Sequence, residues 1–330
     1  MVKGKIWTLK TMFDGKVQTS NFELVEEEVS DKLKDGEFLT EALHWTVDPY
    51  MRSSETGLLV PGQCMPGEQI SKVIASKSPS HPVGSVVRAF SGWRTHTLVS
   101  NEQAQGIGRI PEMSDLPLSL ALGTMGMTGM TAYFGFLELC QPKEGDTVLV
   151  NGAAGAVGSL VGQIAKIKGC KVVGCAGTDD KCKWLKELGF DEVFNYKKVD
   201  LSEALKAAAP DGFDCFFDNI GADFTATALK HMKQFGRVSI CGQMSVYNNK
   251  ELPRAEYPFM LILGKQLKVE GFNVMRWYPR WAEGEKVMAQ WIKEGKIKYK
   301  ETITKGFRNM PNAFIGLFDG ANTGKAIVTA

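Results

Sequence analysis

From Thr147 onward, short apolar runs alternate with stretches whose apolar positions recur at helical spacing. Gly145-Asp146 signals a turn, and the uncharged, β-branched run Thr147 to Val150 after it predicts a strand buried on both faces. Val157, Leu160, Val161, Ile164, Ala165 and Ile167 then form one helical stripe that stops at Gly169, and KVVG (171–174) predicts a second strand. The same alternation continues downstream. A helix is expected over 179–188, a strand over EVFNY (192–196) and a helix over LSEALKAA (201–208). A strand over FDCFFDNIG (213–221), a helix over 222–234, a strand over RVSICG (237–242) and a sixth over LKVEGF (267–272) follow. Strands alternating with helices predict an α/β fold with a doubly wound parallel sheet. The first part of the chain reads differently. GEFLTEALHWTVDPYMR (36–52), QISKVIAS (69–76), GSVVRAF (84–90) and RTHTLVS (94–100) are short strands between turns, the pattern of a β-rich domain. A helix near 280–294 precedes IKYKETIT (297–304) and GKAIVTA (324–330), two strands expected to return to that first domain.

A length of 330 residues suits two domains. The expected division is a β-rich domain over 1–123, a nucleotide-binding domain over 124–293 and a returning segment over 294–330. The net charge is +2, and Lys and Arg are interspersed with Asp and Glu, so no basic stripe points to nucleic acid. The N-terminus lacks the apolar core of a secretory signal. Residues 117–137 carry no charge and could span a bilayer at about 1.5 Å per residue. Their four glycines and several hydroxyls favour a buried element instead, so no membrane partner is expected. The seven cysteines are scattered without a Cys-x-x-Cys pair, which suits reduced thiols in a cytoplasmic protein. No His/Cys/carboxylate group has metal-ligand spacing, and no metal is expected.

The stretch LVNGAAGAVGSLVGQIAKIKG (149–169) carries the first chemistry. Its frame is Ala153-x-Gly155-x-x-Gly158, with Gly152 one residue earlier. Between a strand and a helix, such glycines let a pyrophosphate approach the backbone and meet the helix N-terminus. Gly152, Ala153, Ala154, Gly155, Ala156, Val157 and Gly158 are therefore candidate cofactor contacts. No acid stands at the end of the second strand, where an NAD enzyme places one for the ribose. Asp179 and Asp180 are expected as helix cap and first turn. Lys181 could pair with a 2′-phosphate, or be a solvated helix lysine, and Tyr196 could flank the adenosine. The balance favours NADP(H) over NAD(H).

TVDPYMR (46–52), SLALGTMGMTGMTAYFG (119–135), the glycine-turn block, FDNIG (217–221) and ICGQMSVYN (240–248) resemble the prostaglandin reductase family. This is the leukotriene 12-hydroxydehydrogenase/15-oxoprostaglandin 13-reductase group of the medium-chain dehydrogenase/reductase superfamily, with the plant 2-alkenal reductases. The resemblance implies a GroES-like β domain completed by the C-terminal tail, a Rossmann domain and a homodimer. It implies NADPH-dependent reduction of the C=C bond of α,β-unsaturated aldehydes and ketones, 15-oxoprostaglandins included, with leukotriene 12-hydroxyl oxidation as a second activity. Enals, enones and eicosanoids are the implied substrates. Along the cofactor path it implies Asn219, Cys241, Gly242, Ser245, Tyr247, Phe272, Asn273, Val274 and Asn322. Relatives often carry alanine at Gly152, a change expected to be harmless, and proline at Thr128. Zinc-dependent members hold their metal with an early Cys and a Gly-His-Glu segment. Here the first region reads HWTVDPYMR and the second Gly67-Glu68-Gln69, and no four-Cys lobe is present.

A metal-free site must stabilise developing negative charge with hydrogen-bond donors. Conjugate reduction suits that, since the charge appears on a carbonyl oxygen as an enolate. Tyr247 is the first candidate donor, placed just after a strand at the carboxyl edge of the sheet. Its hydroxyl could reach the nicotinamide ribose, the enolate or both. Tyr50 is a second, substrate-side candidate. Arg52 could attract a substrate carboxylate, or be a surface arginine; Asp48 reads as a turn residue. Two alternatives are an NADPH quinone oxidoreductase and a non-catalytic NADPH-binding protein. A short-chain dehydrogenase is not expected, because no tyrosine has a lysine four residues later and the glycine turn lies too deep in the chain.

Overall fold

The computed structural model describes residues 1–53, 57–110, 116–251, 253–254 and 256–330. The chain begins with strands β1 (Val2–Leu9), β2 (Phe22–Val29), β3 (Phe38–Thr46), β4 (Gln69–Ser76), β5 (Val86–Ala89) and β6 (His96–Val99). The short helix α1 (Asn101–Ala104) and strand β7 (Gly108–Arg109) follow. Next come α2 (Met127–Cys140), β8 (Thr147–Val150), α3 (Gly158–Ile167), β9 (Lys171–Ala176), α4 (Asp179–Glu187) and β10 (Glu192–Asn195). The alternation continues with α5 (Leu201–Ala208), β11 (Phe213–Asp218), α6 (Ala222–Lys230), β12 (Met232–Ile240), α7 (Phe259–Lys265) and β13 (Lys268–Gly271). The chain closes with α8 (Trp281–Lys293), β14 (Glu301–Lys305), α9 (Met310–Phe318) and β15 (Lys325–Thr329).

Two compact units result. One comprises Met1–Leu122, Glu301–Asn322 and Ala326–Ala330; the other comprises Gly123–Lys300 and Thr323–Lys325. In the first, β1 and β2 form an antiparallel ribbon. The main sheet has the order β14-β15-β3-β4-β5-β7, with β6 also paired to β3, so the tail strands complete it. Its core gathers Leu9, Phe22, Trp45, Met51, Trp93 and Phe314. Phe22 stacks on Trp93 with ring centroids 5.7 Å apart.

The second unit holds a six-stranded sheet ordered β10-β9-β8-β11-β12-β13, parallel throughout. Strand order reverses between β8 and β11, and ligands bind at the carboxyl edge of such a switch point. Both faces are covered, which is why these strands read as continuous apolar runs. The unit extends to Lys300 because Gln163 of α3 clamps the chain there. Its Nε2 donates to the Lys298 carbonyl at 2.9 Å, and its Oε1 accepts from the Lys298 N–H at 2.7 Å.

Two local expectations change. The helix expected over 222–234 ends at Lys230, and β12 already begins at Met232. Phe235 sits at φ 63°, and the β11–β12 register jumps from Phe213↔Met232 to Cys215↔Arg237. This irregular start conceals the strand from any periodicity. Second, Thr178 rather than Asp179 caps α4, accepting from the Lys181 N–H at 3.3 Å. The uncharged stretch 117–137 is the buried element expected, a 3₁₀ turn, Leu118–Leu122, followed by most of α2. Among the described residues no helix is long and apolar enough to cross a membrane.

One side chain fixes the geometry of the glycine turn. The Phe190 ring fills the slot between α3 and β9. A Cβ added at Gly162 would lie 1.9 Å from the ring, and one at Gly174 would lie 2.5 Å from it. Close packing of that kind locks the helix after the turn onto the second strand.

Candidate active site

The turn itself is built for close approach. Gly152 sits at φ 54°, in the left-handed region that favours glycine. A Cβ there would also stand 3.3 Å from Asn219, so alanine at this position is strained rather than harmless. Ala153 and Ala154 are buried, with the Ala153 N–H on the Cys175 carbonyl at 3.2 Å. Gly155, Ala156 and Val157 are half-buried. At Gly158 a Cβ would come within 2.6 Å of the Gly152 carbonyl oxygen, so α3 can start there only with glycine. No side chain caps the N-terminus of α3; the Ser159 N–H already bonds the Gly155 carbonyl at 3.1 Å, and the Leu160 and Val161 N–H groups bond the Val157 carbonyl at 3.0 Å each, so the side facing a pyrophosphate is the glycine turn before them. The Gly324 N–H donates to the Ala154 carbonyl at 2.8 Å, so the segment Thr323–Lys325 lies along the turn.

At the end of β9 the charges are sorted. Asp179 accepts from Asn195 Nδ2 at 2.7 Å and pairs with Lys198 at 2.5 Å, and these partners hold its carboxyl below the usual range. The acid nearest the strand end is thus already engaged. Lys181 is half-buried; burial first, and then nearby Lys197, push its ammonium below the ordinary lysine pKa. A Cβ on Gly177 would stand 3.1 Å from both the Tyr196 hydroxyl and Lys197 Cε. Gly177, Lys181, Tyr196 and Lys197 therefore gather at one strand end, an environment suited to a dianion.

At the ends of β8 and β11 a polar network closes the switch point. Asn151 is fully buried and donates from Nδ2 to Asp218 at 2.7 Å. Its own Oδ1 accepts the Asn219 N–H at 2.6 Å, while Asn219 Nδ2 donates to its carbonyl at 2.8 Å. Ser245 donates from its hydroxyl to the Ile220 carbonyl at 2.7 Å. Tyr247, half-buried, folds back so that its hydroxyl accepts the Gln243 N–H at 3.4 Å. That oxygen also stands 3.4 Å from where a Cβ on Gly242 would be. Burial first, then Asp218, push the Cys241 thiol up to about 12, so it stays protonated.

Other expected cofactor residues have further tasks. The Phe272 ring packs on Gly135 of α2 and against Phe217 and Trp277, and Val274 is buried in the same core. Asn273 accepts the Met275 N–H at 3.0 Å and caps the turn that begins at Val274. Asn322 belongs to the β-rich unit, where it lines a small recess with Thr302, Asn312 and Ala321.

In that unit Asp48 starts the Pro49–Arg52 turn, is buried, and accepts the Thr46 hydroxyl. The Tyr50 hydroxyl is buried with no hydrogen-bond partner among the described residues. Desolvation, then the charges of Asp48 and Glu68, raise its pKa well above the ordinary tyrosine value, so it stays protonated and able to donate. Arg52 is buried rather than at the surface. It donates from Nη2 to the Gly15 carbonyl at 3.0 Å and lies 5.0 Å over the Phe13 ring.

Two family models match the chain. One, described as "Zinc-binding dehydrogenase", covers residues 156–294, and the other, "N-terminal domain of oxidoreductase", covers 5–107. Prostaglandin reductase 1 of Bos taurus is 52% identical over 339 residues, with all of both chains covered. The chain belongs to the prostaglandin reductase family. A second relative is the 2-alkenal reductase (NADP(+)-dependent) of Nicotiana tabacum, 38% identical over 99% of this chain and 97% of its own. Among solved structures, CurA in complex with NADPH from Vibrio vulnificus superposes with a TM-score of 0.92 at 35% identity, covering 99% of each chain.

The residues of this prostaglandin reductase family member do not fit the zinc that one model's description names. Gln69 is fully buried with its amide spent on the Gly92 carbonyl at 2.9 Å and the Ser71 hydroxyl at 2.7 Å. Glu68 faces Arg88 at 4.0 Å. Among the described residues no group of three or more His, Cys, Asp or Glu is placed to hold a metal. They do fit a phosphorylated dinucleotide: a glycine cradle, an uncapped helix start and two lysines at the second strand's end. Sequence reading missed Asn151, Asp218 and Lys197. The signals were there, in an acid directly before Asn219-Ile220-Gly221 and a second lysine after Tyr196.

Proposed function

We propose that the chain is an NADPH-dependent reductase of C=C bonds conjugated to an aldehyde or ketone, with enals, enones and 15-oxoprostaglandins as its substrate class. The observation that carries this reading is the Tyr247 loop. It places a hydroxyl at the carboxyl edge of a parallel sheet whose glycine turn and paired lysines suit NADPH. The names of relatives that are prostaglandin and 2-alkenal reductases point the same way.

The residues divide the work. Gly155, Gly158 and the start of α3 would hold the pyrophosphate, and Lys181 and Lys197 the 2′-phosphate, with Tyr196 beside the adenosine. Asn219, Gly242, Ser245 and the backbone of 272–274 line the nicotinamide end. When bound, NADPH would supply the hydride for the substrate β-carbon, and a proton from solvent would complete the α-carbon. Tyr247 donates a hydrogen bond to the oxygen on which enolate charge grows, directly or through a ribose hydroxyl. Tyr50 is the substrate-side donor of the β-rich unit. Arg52, whose Nη2 is engaged on the Gly15 carbonyl, would serve as a buried positive charge for a substrate carboxylate.

The active assembly is a homodimer, and the free thiols suit a reducing compartment such as the cytoplasm. Strand β13 ends its sheet, and Tyr257, Phe259, Met260 and Leu263 stand exposed on and beside α7. Antiparallel pairing of two copies about Val269 would set Lys268 opposite Glu270, a self-complementary edge. Sedimentation of Met260→Glu tests this, and an unchanged sedimentation coefficient would refute the edge.

The deciding assay follows NADPH consumption with an enone and, in parallel, a quinone. Deuteride from labelled cofactor should appear on the β-carbon, and Tyr247→Phe should lower kcat by about 10²–10³-fold. Label on the carbonyl carbon, or turnover with the quinone alone, would sink the reading.

A further inference from the structure

Asp218 is the last residue of β11, is 1% exposed, and has no part in the chemistry just proposed. Burying a carboxylate is costly unless donors meet its lone pairs. Here they do. Oδ1 accepts from Asn151 Nδ2 at 2.7 Å and from the N–H groups of Ile220 and Gly221, each at 3.0 Å. Oδ2 accepts the Thr225 hydroxyl. Two of these donors are the backbone of the very turn that follows the strand. That turn is strained at one residue: Gly221 sits at φ 80°, which glycine adopts freely, but Ala222 sits at φ 51°. Consecutive left-handed residues persist where surrounding bonds over-determine them.

What the turn supports is the second half of the argument. The loop from Gln243 to Tyr247 has no strand partner of its own and is registered on residues 218–220. The Cys241 and Gly242 N–H groups donate to the Asp218 carbonyl at 2.8 and 3.2 Å. The Met244 N–H donates to the Asn219 carbonyl at 3.1 Å, and the Ser245 N–H to the Ile220 carbonyl at 3.1 Å. A second bond joins the Ser245 hydroxyl to the Ile220 carbonyl at 2.7 Å. The placement of the Tyr247 hydroxyl therefore depends on carbonyls whose orientation the Asp218 carboxylate fixes.

We infer that Asp218 is a positioning residue for the reduction: its buried carboxylate holds the turn 219–222, and the turn sets the loop that carries Tyr247 and the side chain of Asn219. The inference rests on the proposed role of that loop, but its structural core can be tested without turnover. Asp218→Asn keeps the acceptor at Oδ1 and removes the charge, Asp218→Ala removes every bond, and Thr225→Val removes one donor alone. Three experiments are run on each: amide hydrogen exchange at Met244 and Ser245 in the cofactor-free chain, NADPH titration by fluorescence without substrate for Kd, and steady-state kinetics with an enone for kcat and KM.

Asp218→Ala should speed exchange at Met244 and Ser245 by about tenfold or more, weaken NADPH by about tenfold and lower kcat by about tenfold. Asp218→Asn should recover most of each loss, and Thr225→Val should give a smaller change of the same sign. Should the alanine variant fail to fold, the Asn and Val variants decide alone. Variants that melt earlier yet keep wild-type exchange, Kd and kcat would overturn the inference and leave Asp218 a purely stabilising residue. If the wild-type chain reduces no enone, the proposed function fails, and the exchange and Kd measurements still decide the positioning role.

Discussion

Replacing Lys181 by alanine should separate the two nicotinamide cofactors. A charge-assisted hydrogen bond to a phosphate is worth about 1.5–3 kcal/mol. Two features of the structure reduce what its loss costs here. Lys181 is only half-buried, so water screens part of the interaction. Lys197 lies close enough to depress the Lys181 ammonium, so removing one cation relieves the other and leaves it for the phosphate. The net loss should be about 1–2 kcal/mol, or roughly 5–30-fold in the NADPH Kd. NADH, which lacks the phosphate, should change by less than about twofold. The double variant Lys181→Ala/Lys197→Ala should lose more than the two single losses together, because neither cation remains to compensate. Fluorescence titration of both cofactors measures all of this in the absence of substrate. Equal weakening of NADPH and NADH by Lys181→Ala would refute the assignment, and additive losses in the double variant would refute the shared-cation argument.

The same lysine makes cofactor choice depend on pH. Its folded-state pKa lies below the ordinary value, so its charge is lost at lower pH than an exposed lysine's, and the NADPH-over-NADH preference should decline early as pH rises from about 7 to 10. A preference flat across that range would contradict it; the sign for stability is the reverse, since the unfolded chain binds the extra proton and the cofactor-free fold gains from this group as pH rises through the window. Phe190→Ala empties the slot between Gly162 and Gly174 and should cost about 3–5 kcal/mol in denaturant unfolding, with NADPH binding weakened in the variant that remains folded. Chelator treatment should leave kcat unchanged, because the donor set at Glu68 and Gln69 does not suit zinc, and loss of a stoichiometric metal together with activity would overturn the mechanism.

How far the sequence discloses this architecture depends on the kind of interaction involved. The parallel strands were legible because each is buried on both faces, which forces uncharged apolar runs such as Thr147 to Val150. The glycine turn was legible because a tight approach leaves few residue choices at Gly155 and Gly158. The start of β12 was not, since Phe235 in the left-handed region and the register jump at Phe213/Cys215 break the alternation. Phe190 read as one more apolar residue after a helix; its meaning lies in two glycines, Gly162 and Gly174, at distant points of the chain. The polar network was hidden for a related reason. Asn151 and Asp218 lie far apart in sequence, at strand ends where polar residues ordinarily mark loops, and only the β8–β11 pairing brings them together. Thus the residues that touch a ligand announce themselves through local constraint, whereas those that orient them do so through tertiary pairing. The Tyr247 loop illustrates the divide: its tyrosine can be picked out from its position after a strand, but most of the bonds that hold it run from backbone N–H groups to carbonyls of residues 218–220, and the Ser245 hydroxyl adds a bond that its sequence alone does not reveal.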